Sequence, residues 1–452
     1  MQLWFEQALL PDGWAADVLV TVDGGRIEAV ARGVARPRGA AAYGAAVPGI
    51  CNVHSHAFQR GMAGLAETRG PAHDDFWTWR EVMYRFLDRL TPQDVAAISA
   101  QAFAEMLEAG FTRVGEFHYL HNDVDGRPYA AVGELADAVV SAASETGIGL
   151  TLLPVFYAHA DFGGAAPKPG QRRFISDPDR FAQLVAHARS AVRGLDGGGV
   201  GIAPHSLRAV TPDELAAILP LAAGGPVHIH VAEQAREVEA CLAWCGARPV
   251  EWLLANAPVA ADWCLVHATH LTDAERMGLA RSGAVAGLCP ITEANLGDGI
   301  FPTRRYLDEG GRIAIGTDSN IQIDAAGELR ALEYAQRLAA RSRNLLAPAQ
   351  GDSVGAALFR ATLAGGAQAL AEGPQGLQAG ASADIVALDL GHPSLIERRG
   401  DAILDGWVFS GGRDAVEAVW RAGEPWVENG RHRRRGEIAA RYRATLRRLL
   451  AA

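Results

Sequence analysis

Two histidines, His54 and His56, stand two positions apart at the end of an apolar run. If this run is a β-strand, side chains two positions apart share a face, so both imidazoles project together. Neutral imidazole is a common ligand of transition metals. The pair therefore provides half of a metal site, and the remaining ligands must come from elsewhere in the chain.

Other polar residues follow later apolar runs in the same way. In chain order they are Glu116, His118 and Tyr119, then His205 and Arg208, then His228, His230 and Glu233, then His267 and His270, and finally Asp318. Burying such groups without partners is costly. Their accumulation at the ends of successive runs therefore predicts one shared site for a metal.

Eight apolar runs position these residues, and helix-like segments such as 92–109 lie between several of them. The runs are 51–56, 112–117, 149–156, 200–204, 226–231, 264–267, 284–289 and 312–317. Strands buried on both faces that alternate with helices favour a parallel sheet. Eight such units predict an α/β protein with a (β/α)8 TIM barrel over 49–365, whose chemistry lies at the carboxyl ends of the strands.

The two ends of the chain have a different character. β-branched runs around the Gly24-Gly25 turn, and similar runs at 383–389 and 416–420, are typical of hairpins. We expect 1–48 and 366–452 to form one small β-sandwich-like domain with a C-terminal helix. The arginine-rich segment 431–448 predicts an amphipathic helix packed on the body or on another subunit, with binding of an anionic ligand as the alternative.

Composition narrows the possible partners of this chain of 452 residues. A net charge of -10 argues against nucleic acid, and no apolar run reaches the roughly 20 residues of a membrane span. The start of the sequence lacks the pattern of a signal peptide, and five cysteines suit reduced thiols. We expect a soluble, cytoplasmic protein without a membrane or nucleic-acid partner, and a homodimer.

The residue types limit the choice of metal. His54, His56, one histidine of the fifth run and Asp318 supply four groups and leave a position for water. This set suits one Zn²⁺ per chain, with another divalent transition metal possible. On periodicity alone, either His228 or His230 can be the histidine of the fifth run.

Four ordered motifs resemble signatures of the amidohydrolase superfamily, in its aminohydrolase branch. They are PGICNVHSH at 48–56, HVAE at 230–233, VH at 266–267 and GTDSN at 316–320. The resemblance implies a mononuclear site with His230 as the fifth-run ligand. It also implies that Glu233 shuttles protons, while His267 and Asp318 orient water and take its proton. A buried structural role is the alternative for His267.

Narrower blocks are similar to the formimidoylglutamate deiminase family, which hydrolyses N-formimino-L-glutamate to N-formyl-L-glutamate and ammonia in histidine degradation. They are HSHAFQR at 54–60, FWTWR at 76–80, GEFHYLH at 115–121 and PHSLR at 204–208. By this resemblance the substrate contacts are Gln59, Arg80, Tyr119, His205 and Arg208, with Ser319 near the formimino group. Arginines also suit a dicarboxylate amidine because their planar donors match carboxylates.

Other interpretations remain for several of these residues. Arg80 can instead stack on Trp77 or Trp79 or pair with Glu81, and Arg208 can lie at the surface. Gln59 and Tyr119 can be local hydrogen-bond partners, and the aromatic cluster of 76–79 is either a lid or loop packing. The competing functions are a deaminase or dechlorinase of an aminopurine or triazine-like heterocycle, and a metal-binding scaffold without turnover.

Overall fold

The computed structural model describes residues 1–70 and 74–451. Its strands are β1 (Gln2–Leu10), β2 (Gly13–Asp23), β3 (Arg26–Ala31), β4 (Ala41–Pro48), β5 (Ile50–Ser55), β6 (Phe111–His118), β7 (Gly149–Phe156), β8 (Gly199–Val200), β9 (Ala203–Pro204), β10 (Val227–Val231), β11 (Trp263–His267), β12 (Val285–Leu288), β13 (Arg312–Ile315), β14 (Ile385–Leu388), β15 (Val416–Arg421), β16 (Glu424–Glu428) and β17 (Arg431–His432). Its α-helices are α1 (Phe76–Leu87), α2 (Pro92–Glu108), α3 (Glu134–Thr146), α4 (Pro178–Ala191), α5 (Pro212–Ile218), α6 (Ala235–Cys245), α7 (Pro249–Asn256), α8 (Asp273–Ser282), α9 (Pro290–Leu296), α10 (Thr303–Asp308), α11 (Ala325–Ala340), α12 (Val354–Ala369), α13 (Asp401–Gly406) and α14 (Arg435–Leu450).

Parallel strands β5 to β13 close into a barrel. The ladder runs β5-β6-β7-β8 with β9 beside β7, and a second ladder runs β10-β11-β12-β13. Among the described residues, three parallel bridges join the ladders: Ser55 to Asp318, Ile202 to Val227 and Ser206 to His230. Helices lie between most of the strands, as a parallel sheet requires. The predicted (β/α)8 barrel is confirmed.

Local sequence explains how the barrel elements form. The residues of β5, β6, β7 and β10 are buried throughout, and β7 accordingly has a nearly continuous apolar sequence. The buried polar residues of the other three strands include His54, His228 and His230. Helix α2 starts as predicted, because Thr91 and Asp94 form a reciprocal capping box and Pro92 occupies the first turn. These signals are local, so they are readable without the fold.

The remaining strands form a sheet from both ends of the chain, in the order β17-β16-β15-β14-β4-β1-β2-β3. β4 pairs with β1 in parallel and with β14 antiparallel, so one strand joins the N-terminal hairpins to the C-terminal ones. The structure thus contains the predicted β-rich unit assembled from both termini. Because β4 leads into β5 across Gly49, this sheet is continuous with the first barrel strand.

The arginine-rich segment 431–448 is helical only from Arg435, where α14 begins and packs on α2. The prediction was wrong for the first residues of the segment, because Arg431 and His432 form β17 and pair with β16. The cations of α14 meet acidic groups of the barrel: Arg448 pairs with Asp94, and Arg441 with Glu145. The body of the same chain therefore accounts for the amphipathic pattern. Among the helices of residues 1–70 and 74–451, none combines the length and apolarity needed to cross a membrane.

Candidate metal centre and active site

Four of the predicted residues meet at the carboxyl ends of the barrel strands. Ligand atoms of His54, His56, His230 and Asp318 all lie within 4.8 Å of one another. Strand β5 carries His54 and leads into His56, β10 carries His230, and Asp318 follows β13. Closure of the barrel brings the end of β5 beside the end of β13, since His56 N donates to the carbonyl of Asp318 over 2.9 Å. Residues 262 positions apart therefore become neighbours.

The hydrogen bonds of these imidazoles leave one lone pair free on each of two rings. The Nδ1 atoms of His56 and His230 lie 3.0 and 3.1 Å from backbone carbonyls, those of Phe117 and His205. A carbonyl accepts only from a protonated nitrogen, so each Nε2 keeps its lone pair. Nε2 of His230 faces Nε2 of His54 at 3.0 Å. Converging lone pairs beside a carboxylate are a donor set that fits a divalent cation such as Zn²⁺.

Burial keeps the imidazoles of His54 and His230 free of extra protons. It lowers the pKa of His54 to about 3 and that of His230 well below its usual value. Burial alone would raise the pKa of Asp318, but the neighbouring imidazoles of His54 and His56, with Nε2 atoms 3.4 and 3.2 Å from Oδ1, hold that pKa well below the usual range. Neutral imidazoles of His54 and His230 beside a charged carboxylate are the protonation states that metal ligation needs.

His228 lies on the same strand as His230 but is used differently. Its Nε2 bonds the carbonyl of Ala369 at the end of α12, 2.7 Å away. His270 also stays apart from the cluster, and its backbone carbonyl accepts from Arg248. The geometry therefore favours His230 over His228 as the ligand of the fifth strand.

Two titratable residues stand next to the cluster, as the motifs predict. Nε2 of His267 lies 3.9 Å from Glu233 and 3.8 Å from Asp318. Burial alone would lower the pKa of His267, but the carboxylates of Glu233 and Glu293 raise it to about 10. Burial raises the pKa of Glu233 as well. These groups can hold and pass protons beside the cluster.

Most of the predicted substrate contacts line the same cavity. The predicted residues on its wall are His56, Gln59, Arg80, Tyr119, His205, Arg208, His230, Glu233, His267 and Asp318. Gln59 donates to the hydroxyl of Tyr119 over 2.7 Å, so these two are local partners as well as wall residues. Arg80 stacks on Trp77, with its Cζ atom 5.6 Å from the ring centroid, and also lines the cavity.

Arg208 is buried without a close partner. Its residue is 6% exposed, and its nearest carboxylates, on Glu233 and Glu237, are both 3.9 Å away. Nothing within the described ranges accepts a hydrogen bond from it, and its Nε is fully enclosed. A buried guanidinium with free donors is costly unless a ligand supplies the acceptors. Arg208 is therefore not a surface arginine, and its contact with substrate stays a prediction.

Ser319 differs from the other predicted contacts. Its hydroxyl bonds that of Thr292 over 3.0 Å, and it does not belong to the set of described residues that line the cavity. Contact between Ser319 and a formimino group stays a prediction. Of the aromatic cluster, Phe76 and Trp79 do lie on the wall of the cavity, from helix α1.

Several residues of the site escaped the sequence analysis. Tyr157, Phe174, Met83 and Leu296 line the cavity, and Glu293 bonds Nδ1 of His267 over 3.2 Å. Tyr157 directly follows β7, so the strand-end rule that found the histidines was sufficient to find it. Glu293 lies inside α9, and the sequence of a helix does not distinguish a buried glutamate such as this one from a solvent-exposed glutamate.

Comparison with known proteins decides the family. A model of the amidohydrolase family matches residues 45–425, and a model of the N-terminal domain of formimidoylglutamate deiminase HutF matches residues 3–40. The chain belongs to the amidohydrolase family. The resemblance inferred from the four motifs is thereby confirmed.

Individual members of the amidohydrolase family match nearly the whole chain. A curated formimidoylglutamate deiminase of Pseudomonas aeruginosa is 50% identical over 434 residues, which cover 95% of each chain. A crystal structure of an amidohydrolase from Brucella melitensis has a TM-score of 0.96 and 53% identity, and covers 99% of each chain. An adenosine deaminase from Xanthomonas campestris with bound zinc has a TM-score of 0.82 at 23% identity, covering 100% of this chain and 98% of its own, and shows the fold alone.

Proposed function

We propose that this chain hydrolyses N-formimino-L-glutamate to N-formyl-L-glutamate and ammonia, a step of histidine degradation. The observation that carries the proposal is one cavity that joins the four-donor cluster, the pair Glu233 and His267, and two arginines. Family membership and 50% identity to a curated formimidoylglutamate deiminase support a hydrolase acting on a carbon–nitrogen bond of a small molecule.

The metal is proposed to be one Zn²⁺ held by His54, His56, His230 and Asp318. Two of the imidazoles are fixed by carbonyls and the carboxylate is charged, so the set needs only a cation to be satisfied. When bound, such a metal would lower the pKa of its water and so supply a hydroxide nucleophile near neutral pH. The cytoplasmic location and the homodimer stay predictions.

The protein groups then divide the proton transfers. Asp318 orients the attacking water and takes its proton. His267 lies 3.8 Å from Asp318 and is protonated because its pKa is raised to about 10, so it acts as an electrostatic partner that orients this water. Glu233 carries a proton to the imino nitrogen, which leaves as ammonia as the carbon–nitrogen bond breaks. The formyl carbon keeps the oxygen of the water, so the products balance the reactants. Burial raises the pKa of Glu233, which favours the protonated form that a donor needs.

The polar wall of the cavity favours a dicarboxylate. Arg80 and Arg208 both line it, together with the neutral donors of Gln59, Tyr119 and His205. A flat heterocycle would stack on the aromatic wall but would leave the donors of Arg208 without acceptors. The wall therefore favours formiminoglutamate over an aminopurine or a triazine.

Ammonia release by the purified protein tests this proposal. Formiminoglutamate, guanine and adenosine are compared at equal concentration, with chelated protein and with protein reloaded with zinc. We expect zinc-dependent ammonia release from formiminoglutamate alone. Release from a heterocycle, with none from formiminoglutamate, would reverse the assignment, and activity that survives complete metal removal would contradict the metal site.

A further inference from the structure

Tyr157 is a buried tyrosine directly after the third barrel strand. It is 3% exposed, and it lines the same cavity as the proposed metal ligands. Its ring packs edge-on against His205, with centroids 4.6 Å apart, so the phenol has a fixed position. None of the sequence motifs included this residue.

Two donors point at the phenol oxygen. Nη2 of Arg80 and Nε2 of Gln171 each donate to it over 2.7 Å. The amide of Gln171 cannot be turned round, because its own oxygen accepts from the backbone nitrogen of Lys168 over 2.7 Å. Arginine has no acceptor, and the Gln171 group in contact is an amide nitrogen. The phenol proton can therefore go to neither neighbour.

The hydroxyl proton of Tyr157 must point away from both Arg80 and Gln171. Over 1–70 and 74–451, no side chain or backbone atom accepts a hydrogen bond from this hydroxyl. The guanidinium of Arg80 lies beside it at the wall of the cavity. An O–H and an N–H side by side match the two oxygens of a carboxylate. Arg80 and Tyr157 thus form a two-point anion site.

We propose that Tyr157 is a specificity-determining residue that donates a hydrogen bond to one carboxylate of the substrate, the same carboxylate that Arg80 binds. Gln171 positions this hydroxyl, because its side-chain nitrogen donates to the phenol oxygen while its side-chain oxygen is held by the backbone nitrogen of Lys168. The inference rests on the proposed function for the identity of the substrate. A ligand that lacks this carboxylate leaves the Tyr157 proton unpaired in a buried wall, which is how the site discriminates.

Binding of the product N-formyl-L-glutamate to the zinc-loaded protein tests the inference without turnover. Calorimetry compares the parent protein with Tyr157→Phe, and with Tyr442→Phe as a matched control. Tyr442 also loses one hydrogen bond on substitution, since its hydroxyl donates to the carbonyl of Arg60 over 3.1 Å, but it does not line the cavity. We expect Tyr157→Phe to raise Kd roughly tenfold, as loss of a hydrogen bond to a charged group does, and Tyr442→Phe to change it by less than about twofold.

Two further ligands separate a lost carboxylate contact from lost packing. N-formyl-L-glutamine lacks the side-chain carboxylate, and N-formyl-4-aminobutyrate lacks the α-carboxylate. With one of them the effect of Tyr157→Phe disappears, and the effect of Arg80→Met disappears with the same one. An equal loss for all three ligands, or no loss for any, overturns the inference.

Ammonia release by the parent protein from formiminoglutamate separates this inference from the proposed function. Binding that depends on Tyr157, without ammonia release, contradicts the proposed function and supports the inference. Ammonia release together with unchanged binding by Tyr157→Phe contradicts the inference alone. If the parent protein neither binds N-formyl-L-glutamate nor releases ammonia from formiminoglutamate, both are wrong, and ammonia release without such binding contradicts the inference alone.

Discussion

The three imidazoles of the proposed metal centre differ in what surrounds their Nδ1 atoms. His56 and His230 use Nδ1 on backbone carbonyls, whereas Nδ1 of His54 is buried without a partner. Backbone carbonyls cannot be mutated away, so the tautomers of two ligands depend on the barrel itself. The chemistry of single residues is therefore set by the strands that carry them.

Changing Glu233 and changing His56 should separate proton transfer from metal binding. Glu233→Gln removes the proton carrier but no proposed ligand, so we expect full metal content and a kcat lower by roughly 10²–10⁴-fold. His56→Ala removes a ligand, so both metal and activity should be lost. Metal analysis of the purified variants, together with ammonia release, measures both effects. Full zinc in His56→Ala would remove His56 from the ligand set.

Replacing Arg208 tests the proposed contact with a carboxylate. Because its buried donors lack acceptors, Arg208→Met should raise KM for formiminoglutamate roughly 10- to 100-fold and change kcat far less. Arg236→Met is the matched control. Arg208 and Arg236 both lie over the Trp77 ring, with Cζ atoms 5.6 and 4.8 Å from its centroid, but Arg236 is exposed. Equal effects of the two variants on KM would argue against a specific role for Arg208.

At this scale the sequence predicted residues best where a motif and a strand end coincide. His54, His56, His230 and Asp318 satisfy both, and the structure brings them together. Tyr157 satisfies only the strand-end rule and was missed. The hydrogen-bond partners of the Tyr157 hydroxyl, Arg80 and Gln171, come from two other segments of the chain. The sequence alone therefore does not show that the phenol proton lacks an acceptor.

The ends of the barrel strands orient the side chains of the site, and several residues there have a left-handed backbone conformation. His267, Asp318 and Asn320 have φ values of 67°, 46° and 55°. Such values cost a residue other than glycine about 1–2 kcal/mol each. Hydrogen bonds across the barrel seam offset this cost: the amide nitrogen of Asn320 donates to Ser55 Oγ and to the carbonyl of Asp318, each over 3.1 Å.

Removing the side chain of Asn320 should weaken metal binding although no proposed ligand is replaced. Asn320→Ala loses the bond between β5 and the segment after β13, so we expect metal affinity to fall by about 10–100-fold. Competition with a chromogenic chelator measures the affinity. Asn344→Ala is the control, since Asn344 has the same φ of 55° outside the site. A similar loss of metal in both variants would point to general destabilisation instead.

The sequence predicted the positions of the barrel strands well, but it did not predict where a strand is interrupted. The apolar run 200–204 predicts one strand, but the structure has two short strands, β8 and β9. Gly201 lies between them and close to the neighbouring segment, since a Cβ at this position would meet the carbonyl oxygen of Pro226 at 2.2 Å. Such an approach depends on the neighbouring strand, which apolar periodicity does not specify. The run 284–289 instead gives one strand, β12, as predicted.

The whole molecule is held together by contacts between the barrel and the C-terminal residues. Glu108, at the end of α2, is the centre of one such contact. Its carboxylate accepts from the backbone nitrogen of His432 and from Arg413, each over 2.9 Å, and it also pairs with Arg435. The sequence predicted both β-rich ends and the basic helix but not this partner, because a glutamate inside an amphipathic helix is ordinarily solvated.

Neutralising Glu108 should therefore weaken the whole fold while leaving the chemistry intact. The Glu108 side chain is fully buried among two arginines, and Glu108→Gln leaves those cations without a counter-charge, which should lower the free energy of unfolding by about 3 kcal/mol. Glu437→Gln is the matched control, because Glu437 pairs with Arg434 at the surface and should leave the free energy nearly unchanged. Urea unfolding gives both values, and KM for formiminoglutamate should stay constant in each folded variant. Equal stabilities of the two variants would mean that the terminal segment is held by apolar packing, for example of Ile438 and Leu449, rather than by this buried carboxylate.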